Sequence, residues 1–257
     1  MIKKYVKFPS NISKKNQISF FKKLKLDRYF NENRSTIIQP DLNDLYRLYQ
    51  FVTLNKRTTI LEFGSGWSSL VMSIAIKQNE KKYKKQILNL RRGNPFEIFI
   101  VENQKKYLNI TKKRNKKIIG NSKKINYFHS NCKMIKYDKK YYATEYLKLP
   151  LVNPDFIYLD GPDQFKIKGS INNFSTRHTD LMPMACDILK FEHFLTPGTI
   201  ILIDGRTANA RFLQSNFQRK WLYERDDLND QSIFYLAEKP LGKINSDQLK
   251  FYKKNNV

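Results

Sequence analysis

Glycine, proline, histidine and cysteine are all scarce in this chain of 257 residues, at nine, nine, three and two copies. Cys132 and Cys186 have no Cys-x-x-Cys spacing and no histidine partners. That excludes a disulfide scaffold and a zinc site of the usual kind, and free thiols in a reducing cytoplasm are expected. No apolar run approaches the roughly 18 residues of a membrane span. The opening Met1-Ile2-Lys3-Lys4-Tyr5-Val6-Lys7 holds no apolar stretch of a secretory signal. Repeats and low-complexity tracts are absent too. What remains, 40% hydrophobic and 14% aromatic residues, fits one sizeable folded core rather than disorder.

Acidic residues are also in short supply, 23 against 48 Lys and Arg, which leaves a formal charge of +25. A basic surface gathers anions, among them RNA, DNA, acidic lipid and phosphorylated metabolites. The excess is mostly lysine and accompanies many Asn, Ile, Tyr and Phe, as an AT-rich genome would produce. Arginine-rich patches interleaved with aromatics, a better sign of base contact, do not stand out. A nucleic-acid partner and simple genome composition are therefore two readings of the same number.

Residues 1–36 read as a basic extension packed on the domain through Phe20, Phe21, Leu24, Leu26, Tyr29 and Phe30, with a helix over 17–29. Asp41 then opens a clear helix, whose Leu42, Leu45, Tyr46, Tyr49 and Val52 recur at helical spacing, with acids in its first turn. Apolar runs predict parallel strands at 58–62, 95–102, 124–130, 154–160 and 199–204. Helices are expected at 70–76, 104–117, 180–195 and 207–219. Residues 78–92 read as an insertion or helix extension, 133–148 as part helix and part loop, and 164–177 as a surface loop. Residues 221–225 and 232–237 flank a turn and predict an antiparallel hairpin. The domain thus spans 37–240, with a tail at 241–257.

Five strand–helix units place a mostly parallel sheet between helix layers, a doubly wound α/β fold. Ligands of such sheets bind beyond the carboxyl ends of the strands. Glu62, Glu102, Asp160 and Asp204 all end strands, so four carboxylates should meet on one edge. Gly64 and Gly66 after the first strand let the backbone take positive φ and approach a ligand closely. Ser65, Ser68 or Ser69 can cap the helix that follows.

Glu62-Phe63-Gly64-Ser65-Gly66, Glu102 at the end of the second strand and the closing hairpin together resemble the class I S-adenosylmethionine-dependent methyltransferases, over roughly residues 40–238. The resemblance implies a seven-stranded sheet whose last strand runs antiparallel. It also implies S-adenosylmethionine as cofactor, with the turn Glu62, Gly64, Ser65, Gly66, Trp67 and Ser68 near its methionine part. Glu102 would hold the ribose hydroxyls, Asn131 the adenine, and Asp160 would lie beside the transferred methyl. The chemistry is sound on its own terms, since a carboxylate accepts hydrogen bonds from both hydroxyls of a cis-diol.

Asp160 and Asp204 also match two metal-binding acids of the catechol-type O-methyltransferases, where a divalent ion lowers the pKa of the attacking oxygen. There the second Asp is followed by Asn, whereas this chain has Gly205-Arg206, so one ligand is missing. Asp160-Gly161-Pro162 is loosely similar to the plant glucuronoxylan methyltransferases, which act on a sugar hydroxyl. Without a metal, Asp160, Asp204 or His178 could serve as base, and Arg206 could bind an anionic substrate group or pair with a site acid. The expected activity is O-methylation of a small molecule or saccharide. An RNA methyltransferase, a non-catalytic protein of the same fold and a nicotinamide enzyme are the alternatives; Ser69 stands where the last Gly of Gly-x-Gly-x-x-Gly belongs.

Overall fold

The computed structural model describes residues 1–31 and 39–253; residues 32–36 of the basic extension and 254–257 of the tail lie outside the described residues. In chain order the strands are β1 (Thr59–Phe63), β2 (Glu97–Glu102), β3 (Ile125–His129), β4 (Cys132–Tyr137), β5 (Tyr141–Tyr146), β6 (Phe156–Leu159), β7 (Ile200–Asp204), β8 (Trp221–Asp226) and β9 (Gln231–Leu236). Every side chain of β1 is buried, as expected of a strand covered on both faces at the middle of a sheet. Seven strands form that sheet in the order β3-β2-β1-β6-β7-β9-β8. All neighbours are parallel except β9, which runs antiparallel to both β7 and β8. The chain leaves β1 first toward β2 and β3, then returns to lay β6 on its other side. The switch point therefore falls between the carboxyl ends of β1 and β6.

Alternation along the strands sorts the core into two layers. Ile60, Ile100, Phe156, Leu202 and Ile233 face one way, onto α1 (Lys14–Lys23), α2 (Asp27–Asn31), α3 (Leu42–Leu54), α4 (Trp67–Ile87), α5 (Lys105–Ile119) and the C-terminal helix. Leu61, Phe63, Ile157, Leu159 and Ile203 face the other way, onto the β4–β5 hairpin, α6 (Asp187–Phe191) and α7 (Thr207–Asn216). Helix α3 is fixed at both levels. Asp41 caps its start by accepting from the backbone N–H of Asn43 (2.7 Å) and Asp44 (3.2 Å), worth about 1 kcal/mol. Arg47, only 2% exposed, donates to Asp226 (2.5 Å) and Gln231 (2.9 Å) of the hairpin. This tie holds the acidic start of α3 above the carboxyl edge of the sheet.

Several elements differ from the sequence expectation, each for a local reason. The helix expected over 17–29 is two, α1 and α2, parted at Lys25, which takes φ 59°. Helix α4 runs on through Ile87, because Tyr83 and Ile87 reach the core from an otherwise charged stretch. Residues 133–148 form the antiparallel β4–β5 hairpin in place of helix and loop; Cys132 and Met134 of β4, paired with Tyr146 and Thr144 of β5, turn inward on alternate positions. The helix expected at 180–195 shrinks to α6 and one 3-10 turn. Pro183 interrupts it, and the preceding residues are extended, with Ala185 bridged to Thr144 of β5. Residues 242–253, read as tail, form α8 (Gly242–Lys253), whose Tyr252 donates to buried Asp155 at 2.8 Å. Cys132 and Cys186 are buried free thiols.

Candidate active site

The turn after β1 is packed as tightly as backbone allows. Gly64 has φ 107°, and a Cβ there would meet Asp160 and Gly161 backbone atoms at 3.1–3.2 Å. A Cβ on Gly161 would lie 2.7 Å from the Gly64 nitrogen and 2.7 Å from the Tyr146 hydroxyl. The β1 turn and the β6 loop thus meet backbone to backbone, with no side chain between them. Gly66 differs: a Cβ on it would meet nothing nearer than the Ser68 hydroxyl at 3.8 Å, so its surface is free for a ligand. Helix α4 begins immediately, with the Ser69 hydroxyl accepting from the Gly66 N–H at 3.2 Å.

Glu62 lies beneath this turn, 1% exposed, and accepts from the Ser68 hydroxyl at 2.5 Å. Burial pushes its carboxyl up to about 8, and its second oxygen has no hydrogen-bond partner. Glu102, at the end of β2, accepts from the Ser65 hydroxyl (2.9 Å) and the Gln104 N–H (2.8 Å). Burial raises this carboxyl as well. Glu62 and Glu102 therefore share one edge, linked through the glycine turn. Beside them the β2 and β6 loops are laced together. The Asp163 N–H donates to Asn103 Oδ1 (3.1 Å), Asn103 Nδ2 to the Asp163 carbonyl (3.3 Å), and Gln104 Nε2 to Asp163 Oδ2.

A cavity of about 270 Å³ opens at this edge on the α3–α4–α5 side. Ser65, Gly66, Trp67 and Ser68 form its floor, and the first turn of α3 gives Asp41 and Asp44. Strands β6 and β7 give Tyr158, Asp160 and Asp204, and α5 closes the far side with Tyr107, Ile110, Thr111 and Arg114. Burial raises three of the four carboxylates on this cavity, Asp44, Asp160 and Asp204. Burial, then the charges of Asp204 and Asp41, pushes Asp44 up to about 7. Burial, then Asp160, pushes Asp204 up to about 6, while the Tyr158 hydroxyl donates to it at 3.0 Å. Asp160 keeps 54% of its side-chain surface open where it borders the cavity. The surrounding protein raises its carboxyl, and Arg206 works in the opposite direction. Arg206 is held close, with Nη2 donating to the Asp160 carbonyl at 2.8 Å, Nη1 to the Pro162 carbonyl at 3.3 Å, and Nε 3.5 Å from Asp160 Oδ1.

Of the residues singled out from sequence, Ser65, Gly66, Trp67, Ser68, Asp160 and Asp204 come together on the cavity wall. Glu62 and Gly64 support it from below, and Glu102 stands behind Ser65. Arg206 pairs with a site acid, one of its two expected roles. His178 is exposed on a loop, 3.7 Å from Asp180, and does not line the cavity. Asn131 is not on the wall either; its carbonyl accepts from the Leu147 N–H at the base of the hairpin. Among the described residues no cluster of three or more His, Cys, Asp or Glu is arranged to hold a metal. Sequence reasoning missed Asp44 and Arg114 as site residues. Asp44 read as a helix-start acid, and Arg114 was hidden in the run of lysines on α5.

No family model matches this sequence, and no curated protein does. Among solved structures, the SAH-bound methyltransferase PaMTH1 of Podospora anserina is similar, at 14% identity and TM-score 0.50, with 90% of this chain covering 99% of that one. The O-methyltransferase of Bacillus cereus in complex with SAH is 12% identical, covering 93% and 100% of the two chains at TM-score 0.41. The chain has the class I methyltransferase fold. At these identities the likeness is one of fold.

The residues of this methyltransferase-fold edge fit the sulfonium nucleoside that the fold implies. Carboxylates on the wall suit a ligand with ammonium and sulfonium charges, and the bare face of Gly66 leaves room against the backbone. Glu102 uses one acceptor site on each oxygen and keeps others for a diol.

Proposed function

We propose that the protein is an S-adenosylmethionine-dependent methyltransferase that acts on an oxygen of a small molecule or saccharide. One observation carries the reading: four carboxylates from three separate elements line a single cavity against a glycine turn at the switch point of the sheet. In a chain of +25 such a cavity is a receptor for a cation.

S-adenosylmethionine, when bound, supplies a methyl group on a positively charged sulfur. The chain's own part is to hold that ligand and to manage one proton. Glu102 would accept the ribose hydroxyls, and the turn from Ser65 to Ser68 would seat the amino-acid half. Asp204, raised to about 6 by burial and by Asp160, is suited to take the proton of an acceptor hydroxyl near neutral pH. Tyr158 donates to Asp204 Oδ2 at 3.0 Å, and the Gln231 side chain also bonds this carboxyl, so the base is held in place for the acceptor. Arg206 fixes Asp160 and its loop against β7 by bonding the Asp160 and Pro162 carbonyls.

Titration calorimetry with S-adenosylhomocysteine tests the reading. Binding in the micromolar range is the expected result, and no heat at high micromolar ligand would overturn it. The Asp204→Asn variant should still bind S-adenosylhomocysteine at pH 7, more weakly for want of one negative charge, and its turnover at saturating ligand should fall by about 10²–10⁴, the usual worth of a positioned base.

A further inference from the structure

We infer that Arg114 of α5 is the carboxylate receptor of the cavity, binding the amino-acid carboxylate of the cofactor while the aspartates opposite receive its cationic groups. The inference rests on the methyltransferase reading above and assigns to it a residue that the family resemblance did not supply.

The observation behind it is a cation that has no counter-ion among the described residues. Arg114 lines the cavity, its guanidinium 3.9 Å from the centroid of the Trp67 ring at the start of α4. The side chain is half-buried, and its Nη1, on the covered edge, has no hydrogen-bond partner among the described residues. Other inward arginines have partners, although Arg57 and Arg92 each keep one unbonded Nε: Arg47 has Asp226 and Gln231, Arg57 the Gly198 carbonyl, Arg219 has Glu238. Among the described residues Arg114 has no carboxylate beside it, and burial alone draws its pKa down to about 10. A guanidinium kept in this state costs free energy that a bound anion would return.

The cavity is also polarised. Arg114 and Trp67 line it from α5 and the start of α4, and Asp44, Asp160 and Asp204 bring the opposite charge from α3 and the ends of β6 and β7. A ligand that fits both has a carboxylate as well as positive groups, as the methionine half of S-adenosylmethionine does. The planar fork of arginine matches a carboxylate with two parallel hydrogen bonds. The stack on Trp67 holds that fork in one plane. A role in packing alone would need the stem and the ring contact, not the charge.

The test compares two probes on the purified full chain, S-adenosylhomocysteine and 5′-methylthioadenosine, which carries the same nucleoside and sulfur but no amino acid. Arg114→Met keeps an apolar stem against Trp67 and removes the fork; Arg114→Lys keeps the charge and loses the fork. The expected result is a roughly 10- to 100-fold loss of S-adenosylhomocysteine affinity in Arg114→Met. Arg114→Lys should lose less, and 5′-methylthioadenosine should bind all three proteins alike. Thermal melts of each variant confirm the folded state. Equal loss for both probes, or no loss for S-adenosylhomocysteine, would overturn the assignment of Arg114. Failure of the unaltered protein to bind either probe would instead overturn the methyltransferase reading, and this inference with it.

Discussion

Replacing Glu62 by Gln should make the protein less sensitive to alkaline pH, and the size of the effect follows from the place of that carboxyl. Glu62 is 1% exposed beneath the glycine turn, and burial raises it from 4.5 to about 8. In the unfolded chain it ionises near 4.5; in the folded chain it stays protonated until about pH 8. Between those values the unfolded state releases a proton that the native state keeps, so stability falls as pH rises. The slope is at most about 1.4 kcal/mol per pH unit. From pH 5.5 to 8 this one group accounts for about 2–3 kcal/mol of lost stability. Gln has the same shape, still accepts from Ser68 and cannot ionise. Urea unfolding of both proteins at pH 5.5 and pH 8 gives the answer as a difference of differences, in which other titrating groups cancel. The two should be within about 1 kcal/mol of each other at pH 5.5. At pH 8 the Gln variant should be ahead by about 2 kcal/mol or more. A gap between the proteins that does not change with pH would refute the reasoning, as would a wild type that gains on the variant as pH rises.

Affinity for S-adenosylhomocysteine, whose amine is cationic, should rise between pH 5.5 and 7.5 as Asp204 (about 6) and Asp44 (about 7) ionise. The slope is at most about tenfold per unit for each proton released; Asp44→Asn should flatten its upper part, and a flat wild-type profile by calorimetry would count against the acidic receptor. Gly161→Ala pushes a Cβ to 2.7 Å from the Gly64 nitrogen. It should cost about 1–3 kcal/mol in urea unfolding and weaken ligand binding at the same time; an unaffected affinity would mean that the two loops do not act together. Asn103→Ala removes the two bonds that its side chain makes to the Asp163 backbone, and with them most of the lacing of the β2 and β6 loops. If that lacing closes the nucleoside side at a cost of about 1 kcal/mol, S-adenosylhomocysteine should bind roughly fivefold tighter to the variant, and weaker binding would show that Asn103 holds the ligand instead.

The sheet was legible in the sequence because its buried parallel strands are near-continuous apolar runs, and Ile98 to Val101 could hardly be anything else. The turn was legible because Gly64 and Gly66 follow such a run at once. The β4–β5 hairpin was not: residues 132–146 mix lysine, tyrosine and threonine, and only the tertiary contact decides which alternate residues turn inward. The helix over 180–195 was overcalled because its apolar spacing was counted across Pro183. For the site, strand-end acids could be placed by topology alone, and Asp160 and Asp204 reached the cavity as expected. Asp44 and Arg114 came from helices that flank the sheet. Their sequence neighbourhoods, a helix cap and a lysine run, gave a sufficient local explanation and hid the shared one.

The protein wears opposite signs outside and within. Its chain carries 48 basic side chains against 23 acidic ones, yet four of those acids border one small hollow. A polyanion drawn to the exterior meets repulsion at the entrance, whereas a small cation is turned away by the exterior and welcomed inside. Salt should separate the two behaviours: surface attraction fades over a Debye length of about 8 Å at physiological ionic strength, while contacts inside the hollow are shielded from it. Polyanions would then not compete for the ligand of the hollow, whatever their hold on the exterior.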